Sequence, residues 1–290
     1  MTFTPLLLAG GKSTRMRSPK HLLRMPDGRP LYQHQLDLLA RVCPDAPTIY
    51  ISLARDSALD DYLRTLPTTT TPPSNDTPTG TPNPTVKIIY DLSPAQLLLP
   101  SGSSPSTSKP PPSQESSQER PQESPQESAG PSTGLLTAYH SLPAPLRSTT
   151  AWLVIACDYP LLTASCLQTL CRAARGQESS PVTCFRNVDG FCEPLVAVWR
   201  AEGLRRLGDL VMEQLGKREN EERGRGKGRG VGPSRVVREG GGLMLDVNQL
   251  GTNSSGGKDG EERRVVLMGV NTREEWAEAW RVLVRRERRS

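Results

Sequence analysis

The chain has 290 residues, of which 35% are hydrophobic and 4% aromatic, and a formal net charge of +5. That is enough apolar material for a folded core but few rings for base stacking, and the basic residues crowd into a Gly/Arg/Lys tract at about 217–234 and a tail at Arg281–Arg289, so the charge reads as solvated loops rather than a nucleic-acid surface. Six cysteines without Cys-x-x-Cys spacing, in a chain with three histidines, exclude the usual zinc frameworks and fit free thiols in a reducing compartment.

The chain opens on Met1-Thr2-Phe3-Thr4-Pro5-Leu6-Leu7-Leu8, which has no basic leader and a very short apolar run. It reads as a first strand and not as a signal peptide. Nothing in the sequence approaches the ~18 apolar residues of a membrane helix, so a soluble, cytoplasmic protein without membrane or nucleic-acid partners is expected, as a monomer or weak homo-oligomer. The run Leu6–Leu8 is uniformly apolar, as a strand buried on both faces requires.

Leu31–Val42 then carries Leu36, Leu38, Leu39 and Val42 at helical spacing. A strand is predicted over Thr48–Ser52, a helix over Ala58–Leu66, a strand over Val86–Tyr90 and a helix over Gly134–Leu142. Ala151–Ala156 is the strongest buried-strand signal and runs into Cys157-Asp158-Tyr159-Pro160. A helix over Thr163–Ala174 follows, then strands over Pro181–Phe185 and Pro194–Trp199 across the turn Asp189-Gly190. The last elements are a helix over Glu202–Leu215, a strand over Val265–Val270 and a helix over Thr272–Val284.

Between these elements lie stretches too poor in apolar residues to offset an ordering entropy of about 1–2 kcal/mol per residue. They include Thr68-Thr69-Thr70-Thr71-Pro72-Pro73 and the Pro-Gln-Glu-Ser units at Pro121–Ser128. The expectation is one domain over 1–290 with low-complexity, disordered insertions at about 67–85, 100–129, 217–235 and 251–262. Its foldable part is about 190–200 residues, ordinary for one α/β domain. Alternation of strand and helix predicts a Rossmann-like, doubly wound, mostly parallel sheet, with ligands beyond the carboxyl ends of the strands.

The chemistry-bearing residues cluster at two strand ends. After the first strand come Ala9-Gly10-Gly11-Lys12-Ser13-Thr14-Arg15-Met16 and then Lys20. Two glycines let backbone N–H groups approach a phosphate or base, and Lys12, Arg15 and Lys20 supply cations for a triphosphate. A P-loop is disfavoured, because its first glycine falls on Leu6. At the second strand end, Asp158 suits a Mg²⁺ ligand in the crevice, or alternatively an N-cap for a helix beginning near Leu162.

Leu8-Ala9-Gly10-Gly11-Lys12-Ser13-Thr14-Arg15-Met16 with Lys20, Gly130-Pro131-Ser132-Thr133-Gly134, Cys157-Asp158-Tyr159-Pro160-Leu161, Glu193-Pro194-Leu195 and Val270-Asn271-Thr272-Arg273-Glu274-Glu275 together resemble the motif series of the molybdenum cofactor guanylyltransferases, the MobA-type NTP transferases. The resemblance implies a nucleotide-diphospho-sugar transferase type of fold and the transfer of GMP from GTP to molybdenum-molybdopterin with release of pyrophosphate. It implies that Leu8, Ala9, Gly10, Gly11, Lys20, Asp91 and Asp158 contact the nucleotide, that Asp158 also binds Mg²⁺, and that Lys20, Asp158 and Arg15 act in catalysis. Asn271 would be a second polar group at the metal edge, or else the N-cap of the last helix.

The chain departs from the family pattern at Arg17, Pro19 and Ser52 and in the proline-rich insertion between Asp91 and Gly130. A CTP-using enzyme, a sugar-phosphate acceptor, or a catalytically silent nucleotide-binding scaffold are the alternatives these departures leave.

Overall fold

The computed structural model describes residues 1–11, 15–16, 18–55, 57–66, 84–92, 96, 130–221, 232–247 and 265–288. Four parallel strands form its heart: β1 (Phe3–Leu8), β2 (Thr48–Leu53), β3 (Thr85–Tyr90) and β4 (Ala151–Ala156), side by side in the order β3-β2-β1-β4. Beyond β4 the sheet continues through β6 (Cys192–Arg200), β5 (Val182–Arg186) and β7 (Leu243–Asp246), with β6 alone running against the rest. The expected doubly wound, mostly parallel sheet is therefore present.

Each central strand forms for a legible reason. All six residues of β4, Ala-Trp-Leu-Val-Ile-Ala, are buried, as a strand covered on both faces demands. β1 contains Pro5, which has no N–H to give a ladder, and its pairing with β2 begins one residue later at Leu6↔Tyr50. The helices in the crossovers pack on the sheet and on one another. The path from β1 to β2 carries α1 (Leu31–Val42), which packs on β1, β2 and α5 (Ala164–Gly176); Tyr62 of α2 (Ala58–Thr65) packs edge-on against Tyr32 of α1.

The return from β3 to β4 carries α3 (Pro131–His140) across β1, β2 and β3. Its start is set by Gly130, at φ 75°, where a side chain would be strained, and by Pro131 in the first turn. Helices α4 (Ala144–Thr149) and α7 (Pro233–Glu239) pack against the long α6 (Ala201–Glu221), which in turn packs on α3. Among the described residues no helix is long and apolar enough to cross a membrane.

Several expectations need correction. Val265–Val270 is not a strand but a turn followed by extended chain, closed by Met268 N–H on Val265 O and by Val270 N–H on Asp158 O. Its apolar residues are buried as a plug beside the sheet, and a short apolar run cannot by itself distinguish that from a strand. The outer strand is Leu243–Asp246, paired with β5, and was missed. The tract expected at 217–235 is ordered at both ends: α6 continues to Glu221 and α7 begins at Pro233. Likewise the tract expected at 67–85 ends inside β3, while 67–83, 100–129, 222–231 and 251–262 lie outside the described residues. The closing helix, α8 (Arg273–Glu287), begins one residue later and ends three residues later than the expected Thr272–Val284.

Burial gives two measurable properties. Five of the cysteines are buried and Cys192 is half-buried. Loss of solvation pushes the thiol of Cys43 up to about 11 and those of Cys166, Cys171 and Cys184 to about 12, and raises that of Cys157 further still. At pH 8 a disulfide reagent should modify one thiol per native chain, at Cys192, and the rest only on unfolding; rapid native reaction of a second thiol would contradict this packing.

His21, in the 3-10 turn Lys20–Leu22, is 4% exposed, and its Nε2 has no hydrogen-bond partner. Burial lowers its pKa to about 4. The unfolded imidazole takes up a proton near pH 6.5 and the native one does not, so this contribution is complete above about pH 6.5 and is lost as pH falls towards 4. Between pH 7 and pH 5 the wild type should lose about 2 kcal/mol more than His21→Phe. Urea midpoints at the two pH values check it, and equal losses refute it.

Candidate functional site

The site is built on the pairing of β1 with β4. The two strands run parallel in register from Phe3↔Ala151 to Leu8↔Ala156, so the chain leaves both at the same height. The strand bonding continues one step past β4, with Cys157 N–H donating to Leu8 O at 3.0 Å, and Ala9 N–H donates to Ser52 O at 2.9 Å. Gly10-Gly11 and Asp158 therefore emerge on one carboxyl edge, where β1 sends the chain one way and β3 brings it back on the other side: the switch point at which such sheets bind ligands.

Leu8 and Ala9 are buried beneath that edge, and Gly11 is exposed with no heavy atom within 4 Å of where its Cβ would be. Gly10 is different. A Cβ there would collide with the Asp91 carboxylate, and a Cβ on Gly134 would lie 2.8 Å from Ser52 Oγ and 3.0 Å from a methyl of Leu8. Asp91 follows β3 directly, its N–H donating to Leu53 O at 2.7 Å, and its carboxylate accepts from the Ser52 hydroxyl. The two glycines thus make the space in which Asp91 and Ser52 meet. Burial raises the Asp91 pKa above the usual carboxylate value, and the Ser52 hydrogen bond opposes the rise.

On the β4 side, Asp158 is not a helix cap. That role belongs to Thr163, which accepts from Cys166 N–H at 3.3 Å. The side chain of Asp158 retains 30% exposure, but its Oδ1 is buried and without a hydrogen-bond partner. Oδ2 stands 3.8 Å from the Lys20 ammonium. Desolvation raises the Asp158 pKa and the nearby Lys20 charge pulls it back. Nor is Asn271 the cap of α8: Thr272 is, in a reciprocal capping box with Glu275. Asn271 Oδ1 instead accepts from Lys20 Nζ at 2.7 Å.

This arrangement fits a hard cation such as Mg²⁺. A buried carboxylate oxygen with no donor is chemically suited to act as a ligand to such an ion. No group of three His, Cys, Asp or Glu gathers among the described residues, so a Mg²⁺ on Asp158 would complete its shell with phosphate oxygens and water, as this ion does in phosphoryl sites.

Of the residues expected from the sequence, the fold brings Gly10, Asp91, Lys20 and Asp158 to one edge, with Leu8 and Ala9 beneath it. Arg15 is exposed in the turn after the glycines, and no described contact ties it to Asp158 or Lys20. Lys12, Ser13, Thr14 and Arg17 lie outside the described residues. Two supporting roles were not read from the sequence, one at Gln35 and one at Glu193, which stood only in the motif series. Gln35, fully buried on the core face of α1, donates through Nε2 to Tyr159 O at 2.7 Å and so holds the turn after Asp158. A polar residue on an otherwise apolar helical stripe was the available signal. The second is Glu193, accepting from Tyr159 Oη at 2.8 Å and Asn187 Nδ2 at 2.9 Å, which ties the β5–β6 hairpin to the same turn.

A sequence model of the MobA-like NTP transferase domain matches residues 5–83 and 108–224. Among solved structures, the chain is similar to molybdopterin-guanine dinucleotide biosynthesis protein A from Archaeoglobus fulgidus at 13% identity and TM-score 0.56, covering 98% of this chain and 100% of that one. It is similar to Rv0371c from Mycobacterium tuberculosis at 15% identity and TM-score 0.51, covering 97% and 98%. A CMP:2-keto-3-deoxy-manno-octonic acid synthetase complexed with CTP is 12% identical with TM-score 0.51, covering 99% of this chain and 100% of its own. At these identities the likeness concerns the fold. No curated protein matches the sequence.

The crowding at Gly10 is open to direct measurement. In Gly10→Ala the new methyl displaces the Asp91 carboxylate from Ser52, at a cost of about 1–3 kcal/mol. The cost should shrink when Ser52→Ala frees Asp91 to move. Urea denaturation of the single and double variants checks both statements, and an unchanged midpoint in Gly10→Ala would refute the first.

Proposed function

Since the chain belongs to the MobA-like NTP transferase domain family, we propose that it transfers GMP from GTP to the terminal phosphate of molybdenum-molybdopterin. In this reaction an oxygen of the acceptor phosphate attacks the α-phosphorus of GTP in line. The bond between the α-phosphorus and the bridging oxygen breaks, and pyrophosphate leaves with that oxygen and its electron pair. No covalent bond to the protein is required.

The observation that carries this reading is the shared edge: the Gly10-Gly11 turn, the Lys20 ammonium and the unpartnered Asp158 oxygen all lie where β1 and β4 end together. Phosphoryl transfer asks little covalent chemistry of a protein and much positioning and charge neutralisation. The glycine turn lets the triphosphate approach the backbone closely. Lys20 meets charge developing on the phosphate oxygens. Asp158 would hold Mg²⁺, which supplies further neutralisation and orients the phosphates when bound. Asp91, on the far side of Gly10 from Asp158, is suited to the nucleoside end of the substrate. Arg15 would add a further cation for the phosphates.

The fold itself is shared with a synthetase complexed with CTP, so the nucleotide has to be chosen by experiment. Calorimetric titration of GTP, CTP, ATP and UTP with Mg²⁺ should give the tightest binding for GTP, and preference for CTP would move the chain to a cytidylyl donor. Pyrophosphate release with GTP and molybdenum-loaded molybdopterin tests the acceptor; release with a sugar phosphate instead would replace it, and binding without release with either would favour the scaffold. Within the reaction, Asp158→Ala should lower turnover by about 10²–10³-fold or more. Wild-type turnover in that variant would remove Asp158 from the mechanism.

A further inference from the structure

Lys20 and Asp158 bear opposite charges at a partly buried edge, yet they do not close on each other. The ammonium is 16% exposed and stands 3.8 Å from Asp158 Oδ2, beyond hydrogen-bonding distance, while it donates to Asn271 Oδ1 at 2.7 Å. Two such groups attract where water is partly excluded. The short hydrogen bond from the ammonium to Asn271 competes with that attraction.

Asn271 is aimed by a backbone pinned on both sides. Before it, Val270 N–H donates to Asp158 O at 2.7 Å. After it, Thr272 N–H donates to the Glu275 carboxylate at 2.9 Å, and the Asn271 N–H donates to the same oxygen, while Thr272 Oγ1 accepts from Glu275 N–H. The capping box of α8 therefore fixes the main chain at Asn271 without using its side chain, which stays available for Lys20. Val270, Asn271, Thr272 and Glu275 lie beyond residue 224, where the matched residues end, so a segment late in the chain reaches the site.

We propose that Asn271 is a positioning residue: it draws the Lys20 ammonium off Asp158, so that the carboxylate stays open to a hard cation and the ammonium stays turned towards the phosphates. An amide suits this task. Its oxygen is strong enough to hold an ammonium, and having no charge it does not lock the lysine into a second ion pair. Without it the ammonium closes on Asp158, neutralises it and competes with the metal for the same oxygens. The inference rests on the nucleotide-and-metal reading of this edge.

The test measures metal binding, not turnover. Mn²⁺ is titrated by electron paramagnetic resonance into the full chain with a non-hydrolysable GTP analogue, in the wild type, Asn271→Ala, Lys20→Met and the double variant. In Asn271→Ala the Mn²⁺ half-saturation concentration should rise about tenfold, equivalent to about 1.4 kcal/mol. In the Lys20→Met background, where no ammonium competes, Asn271→Ala should leave it unchanged. Asn271→Ser, whose hydroxyl is too short to reach Lys20, should behave as the alanine variant does, which guards against a folding defect peculiar to one substitution.

No shift in either single variant at Asn271, or the same shift with and without Lys20, overturns the inference, because a merely structural role would act in both backgrounds. If the wild type itself binds no Mn²⁺ with the analogue, the nucleotidyltransferase reading fails and takes the inference with it. Those two failures are distinguishable in one experiment.

Discussion

The site depends on a register. β1 and β4 are far apart in sequence, joined through two other strands and a long insertion, yet they pair without offset from Phe3↔Ala151 to Leu8↔Ala156. A slip of one residue would turn every side chain of β4 to the opposite face and would move Asp158 relative to the glycine turn. The slip is resisted by burial. Leu6, Leu7, Leu153, Val154 and Ile155 are fully buried, and moving any of them loses packing on both faces of the sheet. The hydrophobic core thus fixes the spacing between a backbone turn and a carboxylate that never touch.

The turn after Asp158 shows how the surrounding elements convert that register into a defined geometry. Gln35 of α1 donates to Tyr159 O, the hydroxyl of Tyr159 donates to Glu193 on the antiparallel strand, and the segment before α8 donates from Val270 to Asp158 O. Three elements from three parts of the chain each supply one hydrogen bond to two consecutive residues. Their combined effect is orientation: a turn held at two carbonyls and one side-chain hydroxyl has few ways to move, and preorganisation of this kind is what electrostatic catalysis requires.

Much of this was legible in the sequence, and the parts that were not share a cause. The boundaries of α1 and β4 agree with local pattern: amphipathic spacing in Leu31–Val42, and in Ala151–Ala156 an unbroken apolar run that ends at Cys157-Asp158. The convergence of Gly10 and Asp158 followed from topology alone. Local pattern failed at Val265–Val270, where an apolar run fills a gap beside the sheet and gains its burial without a strand partner, and at Leu243–Asp246, four half-buried residues that are a strand only because β5 leaves an edge open to them. The roles of Asn271 and Asp158 were ambiguous for the same reason. Each stands near a helix start, and only the structure could reveal that Thr272 and Thr163 had already taken the caps.

The two carboxylates at the edge are alike in composition and opposite in circumstance, and that difference divides the labour between them. Burial raises the pKa of both. Asp91 is met by the Ser52 hydroxyl and crowded by Gly10 and Gly134, so closely that a methyl on either glycine would displace something. The Asp91 carboxylate is thus already engaged by a hydrogen-bond donor. Asp158 keeps one buried oxygen without a donor and one within reach of a lysine that leans elsewhere. An uncompensated buried oxygen costs free energy unless a ligand is going to fill it. On the reading proposed above, Asp158 is therefore the carboxylate on which a metal and a triphosphate would converge, and Asp91 the one that would meet the nucleoside end of the substrate.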